Sequence, residues 1–426
     1  MIMAQRLLFQ NGSQERTITL DEYRQSGGYV ALSKVLAEYS PTQVKQMVLD
    51  SGLRGFGGAG FPTGRKWSSV SDNAPFPRYV VANTDEMEPG TFKDRVLLFH
   101  NPHTVLEGMI IASFAVSAKH GFFFVRPSYE HVAEVFEDAT ETARAAGLLG
   151  ENIMGSGHAF DVTVHRSGGR YICGEAKGLV HAMEGKRPHP NIEGHLTSEG
   201  LWGKPTLLNN AETLAYVPHI VRMGAEAFRE LGRNHKAPGN KIYCVSGRVN
   251  RPGVYELPFG TPLREILEDH AGGMQSGYQF KACLPGGAST RYLSKTHYEV
   301  QMDYDSVKEI GPGYRLGTGA IVVLDHKTCL VRATLNTVQF FARESCGWCT
   351  PCREGLPYIH DLLWRIESGE GKEAYIQTLR EMCRHLKKAY CAFAEGAAAP
   401  VLGLLEDFVD EVHEHIRGRK CPIKNG

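Results

Sequence analysis

Cys346, Cys349 and Cys352 stand at three-residue steps in ESCGWCTPCREG, a stretch punctuated by Gly347 and Pro351. Thiolates this close together suit one compact site for a soft metal, either an iron–sulfur cluster or zinc. Three neighbouring cysteines can wrap one face of a cubane while a distant fourth closes it. Zinc more often uses separated Cys-x-x-Cys pairs, so the spacing favours a [4Fe–4S] cluster. The fold must therefore return a fourth ligand to this loop. Cys383 shares a helical face with Ile376, Leu379 and Leu386, which suits a packed thiol. Cys391 follows that helix in AYCAFAEGAAAP, where a loop can reach the cluster. Cys391 is the expected ligand and Cys383 the alternative. Six of the ten cysteines, Cys383, Cys244, Cys283 and Cys329 among them, read as core thiols in a reducing compartment.

The pattern along the chain changes twice. RYVVAN (78–83) and HGFFFVRP (120–127) read as buried strands, Val105–Ala118 as an apolar helix, and the stretch ending at Gly147 as an amphipathic helix. Strands alternating with helices predict an α/β layer with a largely parallel sheet. After the polar linker GRNHKAPGNK (232–241), two strands joined by a Pro-Gly turn, a helix from Pro262 to His270 and the strand GAIVVLD (319–325) predict a small α+β domain. From Cys329 onward only helical periodicity remains. Leu356, Ile359, Leu363 and Ile366 form one stripe, Ile376 to Leu386 a second, and Val401, Leu404, Leu405, Phe408 and Val412 a third.

The 47 Lys and Arg residues balance 47 Asp and Glu residues, which argues against a general nucleic-acid binder. An anionic ligand must be met by local design. The N-terminal residues lack the apolar run of a signal peptide, and Met109–Val116 is too short to span a bilayer. A cytoplasmic chain with no direct membrane insertion is expected.

GLRGFGGAGFPTGRKW (52–67) carries six glycines in sixteen positions, followed by Lys66 as a candidate phosphate partner. Glycine permits positive φ and lets backbone N–H groups approach an anion. The loop is neither a Walker loop nor an ordinary Rossmann loop. VVANTDEMEPGTFKDR (80–95) then ends a strand in Asn83, Asp85, Glu86 and Glu88, at the mouth of an open sheet where ligands usually bind. YICGEAKGLVHAMEG (171–185) adds a glycine turn with Glu175, and KPTLLNNAET (204–213) adds Asn209, Asn210 and Thr213.

Together these segments resemble the NADH-binding flavoprotein subunit of respiratory complex I, a module that recurs in NAD-linked formate dehydrogenases and hydrogenases. The matching motifs are GxGGAGFPTGxKW, NxDExEPGTFKDR, YICGE, LWGKPTxxNNxET and SCGxCTPCREG, in family order from about Leu20 to His415. The resemblance implies an FMN-binding, and NADH-binding, α/β domain with a Rossmann-like sheet over residues 1–235. A ubiquitin-like β-grasp domain over 240–328 and a helical bundle with one [4Fe–4S] cluster over 329–426 would follow. Gly55, Gly57, Gly58 and Lys66 would hold the FMN phosphate region. Asn83, Asp85, Glu86, Tyr171, Gly174, Glu175, Asn209, Asn210 and Thr213 would surround the rest of the flavin. Phe61 and Glu88 would face the dinucleotide, with Glu88 and Glu175 the candidate catalytic carboxylates. Cys346, Cys349, Cys352 and Cys391 would ligate the cluster. The implied partners are a thioredoxin-like [2Fe–2S] subunit and a larger iron–sulfur subunit, through which the chain would be peripheral to a membrane.

Departures from the family pattern collect on the dinucleotide side. Phe56 replaces an arginine, Ala176 and Lys177 replace an acidic and a neutral residue, and Ser69 stands where an aromatic is usual. Glu193 to Thr197 replace a Lys-Pro-Pro-Phe-Pro segment. Phe56 offers a new stacking surface in this reading. Three readings follow: electron transfer between NAD(H) and the cluster through FMN, a paralogue that keeps FMN and the cluster but serves another donor or a protein partner, or a non-catalytic scaffold or zinc-stabilised module, against which the preserved redox residues argue.

Overall fold

The computed structural model describes residues 5–9, 16–190 and 194–423. Its first sheet consists of β1 (Tyr79–Thr84), β2 (His120–Val125), β3 (Asp161–Arg166) and β4 (Thr206–Asn210), in the order β3-β2-β1-β4. Every neighbouring pair is parallel. Val80, Val81 and Ala82 of the central β1 are all fully buried, as a strand covered on both faces requires. The apolar helix begins one turn earlier than its hydrophobic pattern, at Pro102–Val116, because Asn101 and Pro102 make its start. The Asn101 side chain accepts from the Thr104 N–H, and proline needs no partner in the first turn. The amphipathic helix Glu130–Ala145 forms where its periodicity places it and buries Val132, Phe136 and Ala143.

The second sheet consists of β5 (Asn240–Gly247), β6 (Gly253–Pro258), β7 (Phe280–Leu284), β8 (Leu293–Ser294) and β9 (Ala320–Asp325), in the order β6-β5-β9-β7-β8. Only the β5–β9 pair is parallel. The expected Pro262–His270 helix is a single α turn, Leu263–Glu265, running into a wider π turn, Ile266–His270. Gly272 and Gly273, both at positive φ, stop it. Beyond β9 the described residues are helical: Leu330–Glu344, Thr350–Glu367, Ala374–Leu386, Ala392–Asp407 and Val409–Gly418. The third apolar stripe thus spans two helices, broken at Phe408 (φ −138°).

The three parts are not separate bodies. One apolar core runs from the helices around the first sheet into the second, where it takes in Ile242, Cys283 and Val323. A second core joins the C-terminal helices to Ala282 and Leu284, the neighbours of Cys283 on β7. Strand alternation sends these residues to opposite faces, so the second sheet is packed on both sides.

A charged knot crosses the first of these junctions. Glu212, at the start of the Ala211–Met223 helix, has no exposed surface. Its carboxylate pairs with Lys93 Nζ at 2.8 Å and Lys241 Nζ at 3.5 Å, and it accepts from the Ile242 N–H at 2.7 Å. Lys93 also pairs with Asp94 at 2.7 Å. Burial alone would push the Lys93 ammonium down, but Asp94, Glu212 and Glu86 hold it above its ordinary value. Removing one partner of a buried pair leaves the other charge uncompensated. Glu212→Ala should therefore cost about 3–5 kcal/mol, read from urea unfolding of the intact chain. A loss within about 0.5 kcal/mol would mean that the knot does not hold the sheets together.

Candidate functional site

The C-terminal ends of β1 and β4 open into a cleft of about 1000 Å³. Its floor is the glycine loop (Phe56, Gly57, Gly58, Ala59) together with Asn83, Asp85, Glu86 and Asn210. Glu88 and Thr91 follow along the same connection, and Tyr171, Gly174 and Glu175 close one side. The opposite walls come from elsewhere: Ser289, Thr290 and Thr318 from the second sheet's loops, Tyr304 from the start of the Tyr304–Glu309 helix, and Ala392, Phe393 and Gly396 from the C-terminal helices. The site is a three-way junction at the mouth of a parallel sheet.

Each carboxylate is held in a specific way. Asp85 Oδ1 accepts from Ser167 Oγ at 2.8 Å, whereas its buried Oδ2 has no hydrogen-bond partner among the described residues. Burial raises this carboxyl to about 6. Glu86 accepts from the Asp94 and Arg95 N–H groups at the start of the Lys93–His100 helix, and from Tyr129 OH. Burial and the Asp94 charge raise it to about 7. Glu88 accepts from Tyr171 OH at 2.5 Å and the Ser289 N–H at 2.6 Å, and burial pushes it up as well. Glu175 caps the Ala176–Met183 helix by accepting from the Lys177 and Gly178 N–H groups at 3.0 and 2.9 Å. Asn83 Nδ2 donates to the Gly174 carbonyl at 3.0 Å, joining β1 to the YICGE turn.

Five residues singled out in the sequence stand behind the cleft or beside it. The Gly55 N–H donates to the Phe61 carbonyl and its own carbonyl accepts from Tyr304 OH, so Gly55 shapes the loop. Phe61 is half exposed. Lys66 Nζ donates to the Leu208 carbonyl at 3.0 Å, and burial lowers it. Asn209 Oδ1 accepts from the buried Trp67 indole, and Thr213 Oγ1 from the Phe56 N–H. The Phe56 ring is no stacking surface. It is fully buried, edge-on to Tyr216 and Phe259, with Lys241 Nζ 4.6 Å from its centroid. Of the other departures, Leu196 packs on the small core of Val81, Phe124 and Leu179, Ser69 Oγ donates to the Lys66 carbonyl, and Glu193 lies outside the described residues.

The cysteine loop lies behind the Tyr171 side of the cleft. Cys349 is the N-cap of the Thr350–Glu367 helix and Cys391 the N-cap of the Ala392–Asp407 helix. Burial pushes Cys352 up to about 12, with the Cys349, Cys391 and Cys346 thiols adding to the shift. It pushes Cys391 to about 11, with Glu175, Cys346 and Cys349 adding. The structure thus gathers Cys346, Cys349, Cys352 and Cys391. Cys383 is packed among Leu379, Leu386 and their neighbours, and its thiol feels Lys387 and Glu406, not the loop. Two helix N-termini meet at the thiol cluster, a field that favours thiolates and a negatively charged group. Outer contacts fix the loop: Arg187 Nη2 donates to the Cys346 carbonyl at 2.7 Å, Arg353 Nη1 to the Gly347 carbonyl at 3.1 Å, and His189 stacks on Trp348.

Residues 48–219 match the Nuo51 FMN-binding domain, 242–292 an SLBB domain, and 332–415 the iron–sulfur binding region of NADH-ubiquinone oxidoreductase F. The chain is 45% identical over 415 residues to the F subunit of NADH-quinone oxidoreductase in Salmonella typhimurium, covering 96% of this chain and 92% of that one. It is 43% identical over 406 residues to the F 2 subunit in Rhizobium meliloti, covering 95% and 96%. The chain belongs to the family of NADH-quinone oxidoreductase F subunits. Among solved structures, a chain of an NAD+-reducing [NiFe]-hydrogenase in its air-oxidized state superimposes with a TM-score of 0.82 at 30% identity, covering 95% of this chain and 67% of that one. The protein is thus an F-type NADH dehydrogenase flavoprotein whose cofactors are FMN and a [4Fe–4S] cluster.

The residues present fit both groups. The orphaned Asp85 Oδ2 awaits a donor, and a Cβ built on Gly58 (φ +128°) meets nothing within 4 Å, so the loop backbone is open to a ligand. Sequence motifs did not point to Ser289, Tyr304 or Phe393. Phe393 alone carried a local signal, since it sits two residues past Cys391. The other two reach the cleft only through tertiary packing.

The Asp85 carboxyl sets a pH dependence for the cofactor-free protein. Its proton leaves the unfolded chain near pH 4 and the folded chain only near 6, so this residue's contribution to stability falls as pH rises between them. Above that window the deficit is about 3 kcal/mol. Urea midpoints at pH 4.5 and 7.5 should therefore converge in Asp85→Asn relative to the parent. An unchanged difference would remove Asp85 as its source.

Proposed function

We propose that the cleft holds FMN on Gly57, Gly58, Asn83, Asp85, Glu86, Tyr171, Gly174, Glu175 and Asn210. Gly55, Lys66, Asn209 and Thr213 support these from behind, and NADH enters on the side of Phe61 and Glu88. Cys346, Cys349, Cys352 and Cys391 ligate the cluster. One observation carries this reading: the first turn of the Ala392–Asp407 helix serves both sites, with Cys391 in the thiol cluster and Ala392 and Phe393 in the cleft wall. When bound, FMN accepts hydride from NADH and releases its two electrons singly to the cluster.

The chain's own groups prepare that transfer. Asp85 Oδ2 is placed to accept a hydrogen bond from the flavin, and burial favours making that bond over leaving it unmade. Tyr171 holds Glu88 on one side and packs edge-on against Phe341 and Phe393 on the other, a continuous apolar wall between cleft and cysteines that excludes water. Glu88 and Glu175 act through position, Glu88 by locking Tyr171 and Ser289, Glu175 by fixing the turn beside Gly174.

The division into residues 1–235, 240–328 and 329–426 is supported by the change from parallel sheet to mixed sheet to helices. The first sheet is Rossmann-like in its all-parallel pairing, the strand order of the second suits a ubiquitin-like β-grasp, and the helices form a bundle. Trp348 and Tyr390, both more than half exposed and each next to a cluster cysteine, mark the face through which electrons leave. The acceptor is a thioredoxin-like [2Fe–2S] subunit or a larger iron–sulfur subunit. No helix among the described residues is long and apolar enough to cross a membrane.

Anaerobic titration of the FMN-loaded protein with NADH, and separately NADPH, tests the donor. Bleaching of the flavin at micromolar NADH is expected. A flavin reduced by dithionite but by neither nucleotide would instead support a paralogue with another donor. Cys391→Ser should abolish the cluster's visible absorbance and paramagnetic signal while FMN stays bound, and Cys383→Ser should change neither. The reverse pattern would move the fourth ligand to Cys383.

A further inference from the structure

Cys329, Glu367, His415 and Cys421 belong to neither the cleft nor the cysteine loop, yet all four are buried and their ligand atoms lie within 4.8 Å of one another. They come from four places in the fold. Cys329 is the N-cap of the Leu330–Glu344 helix, Glu367 the last residue of the Thr350–Glu367 helix, His415 lies on the Val409–Gly418 helix, and Cys421 follows it. Cys329 Sγ is 3.3 Å from His415 Nε2 and 3.5 Å from Glu367 Oε2, and His415 Nε2 is 3.3 Å from Glu367 Oε2.

These distances are the edges of a zinc tetrahedron. With Zn–S near 2.3 Å and Zn–N or Zn–O near 2.0–2.1 Å, ideal edges are about 3.5 Å for sulfur to nitrogen or oxygen and about 3.3 Å for nitrogen to oxygen. The surroundings also suit a metal. His415 Nδ1 donates to the Glu411 carbonyl at 2.7 Å, which fixes the tautomer and turns the Nε2 lone pair toward the other three groups. The Arg332 N–H donates to Cys329 Sγ at 3.3 Å, and the Arg332 guanidinium approaches Glu367 Oε1 at 3.5 Å. Two thiolates and a carboxylate around a divalent ion leave one net negative charge, which Arg332 and the helix N-terminus offset.

We infer that Cys329, Glu367, His415 and Cys421 form a zinc site in the C-terminal helical region, separate from the iron–sulfur cluster. Four protein ligands leave no open position, so the site is structural and takes no part in the redox chemistry. It clamps the last helix and the segment after it to the far end of the helix that begins at Cys349. That helix therefore carries cluster cysteines at one end and a zinc ligand at the other.

Metal content of the anaerobically purified, full-length holoprotein tests this, with zinc and iron counted by plasma mass spectrometry. About one zinc per chain is expected beside the cluster iron. Cys421→Ser should lower zinc to about one tenth or less while the iron and the cluster spectrum persist, and Cys346→Ser should do the opposite. Cobalt introduced in place of zinc should give the intense d–d and thiolate charge-transfer bands of a tetrahedral site. Those bands are read on the parent protein, so the test stands even if a variant fails to fold. Parent protein that contains little zinc, takes up none on dialysis against zinc and shows no tetrahedral cobalt spectrum would overturn the inference. So would zinc that persists in Cys421→Ser, or zinc lost with the iron in Cys346→Ser.

Discussion

A carboxylate with no contact with water, that of Glu212, decides how the first two sheets meet. It sits at the start of a helix behind the parallel sheet and takes both Lys241 and the Ile242 N–H from the first strand of the mixed sheet. A buried ion pair is weak evidence for net stability, because desolvation offsets much of its Coulomb energy. Its stronger effect is on uniqueness. An apolar seam could slide, whereas a carboxylate that must satisfy two ammonium groups and one N–H admits one relative placement. The cleft needs that placement. Asn210 and Lys93 are on its floor, Tyr304 is on its wall, and the distances between them are set by this junction.

From that fixed frame the cofactor sites follow by ordinary local rules. Parallel strands end together, so Asn83 and Asn210 point into one space. The cleft would be open on one side without the second sheet, and Glu88 fastens that side by accepting from the Ser289 N–H. Tyr171 then ties the cleft to the helices, with its hydroxyl on Glu88 and its N–H donating to Glu344, one residue before the loop that carries the cysteines. A displacement at either end of this chain of contacts is felt at the other. Burial of Glu86 and Glu88 raises both carboxyls, so a flavin or dinucleotide meets less negative charge there than the sequence alone suggests.

Much of this was legible in the sequence where periodicity and motif coincided. Ile376, Leu379, Cys383 and Leu386 share one face, and that spacing reads Cys383 as a packed thiol, which is how the helix buries it. The parallel sheet was readable from β1 and β2 because both are continuous apolar runs. β3 and β4 were not, since DVTVHR is half polar and TLLNN is short and ends in the site's own asparagines. The stretch 262–270 is helical as its pattern suggests, but its winding widens from Ile266 on, where no proline or glycine marks the change. The second-sheet residues of the cleft had no signature, because contacts separated by some 200 positions are made by the fold and not by local pattern. Cys329 and Cys421 read as core thiols for the same reason: nothing in their spacing shows that Glu367 and His415 converge on them.

Phe56 shows what a motif comparison can and cannot say about charge. A phenylalanine where the family pattern carries a cation suggests a new stacking platform in the pocket. The ring instead turns away into the core, and a cation is found on its other side: Lys241, over the ring face, buried and lowered to about 8 by desolvation. An ammonium is tolerated there because Glu212 and the aromatic quadrupole both face it. The Lys241 charge lies in the seam between the sheets, paired with Glu212, where it cannot meet a ligand. Among the cationic side chains that line the cleft are Arg54, Lys308 and Arg315. Arg54 is already paired with Asp305 and Arg315 with Glu395. Phosphate binding there competes with existing ion pairs, both partly exposed to solvent. Salt screens the pair that is broken and the pair that is made alike, so dinucleotide affinity in this chain should depend less steeply on salt than in a pocket that offers an unpaired cation.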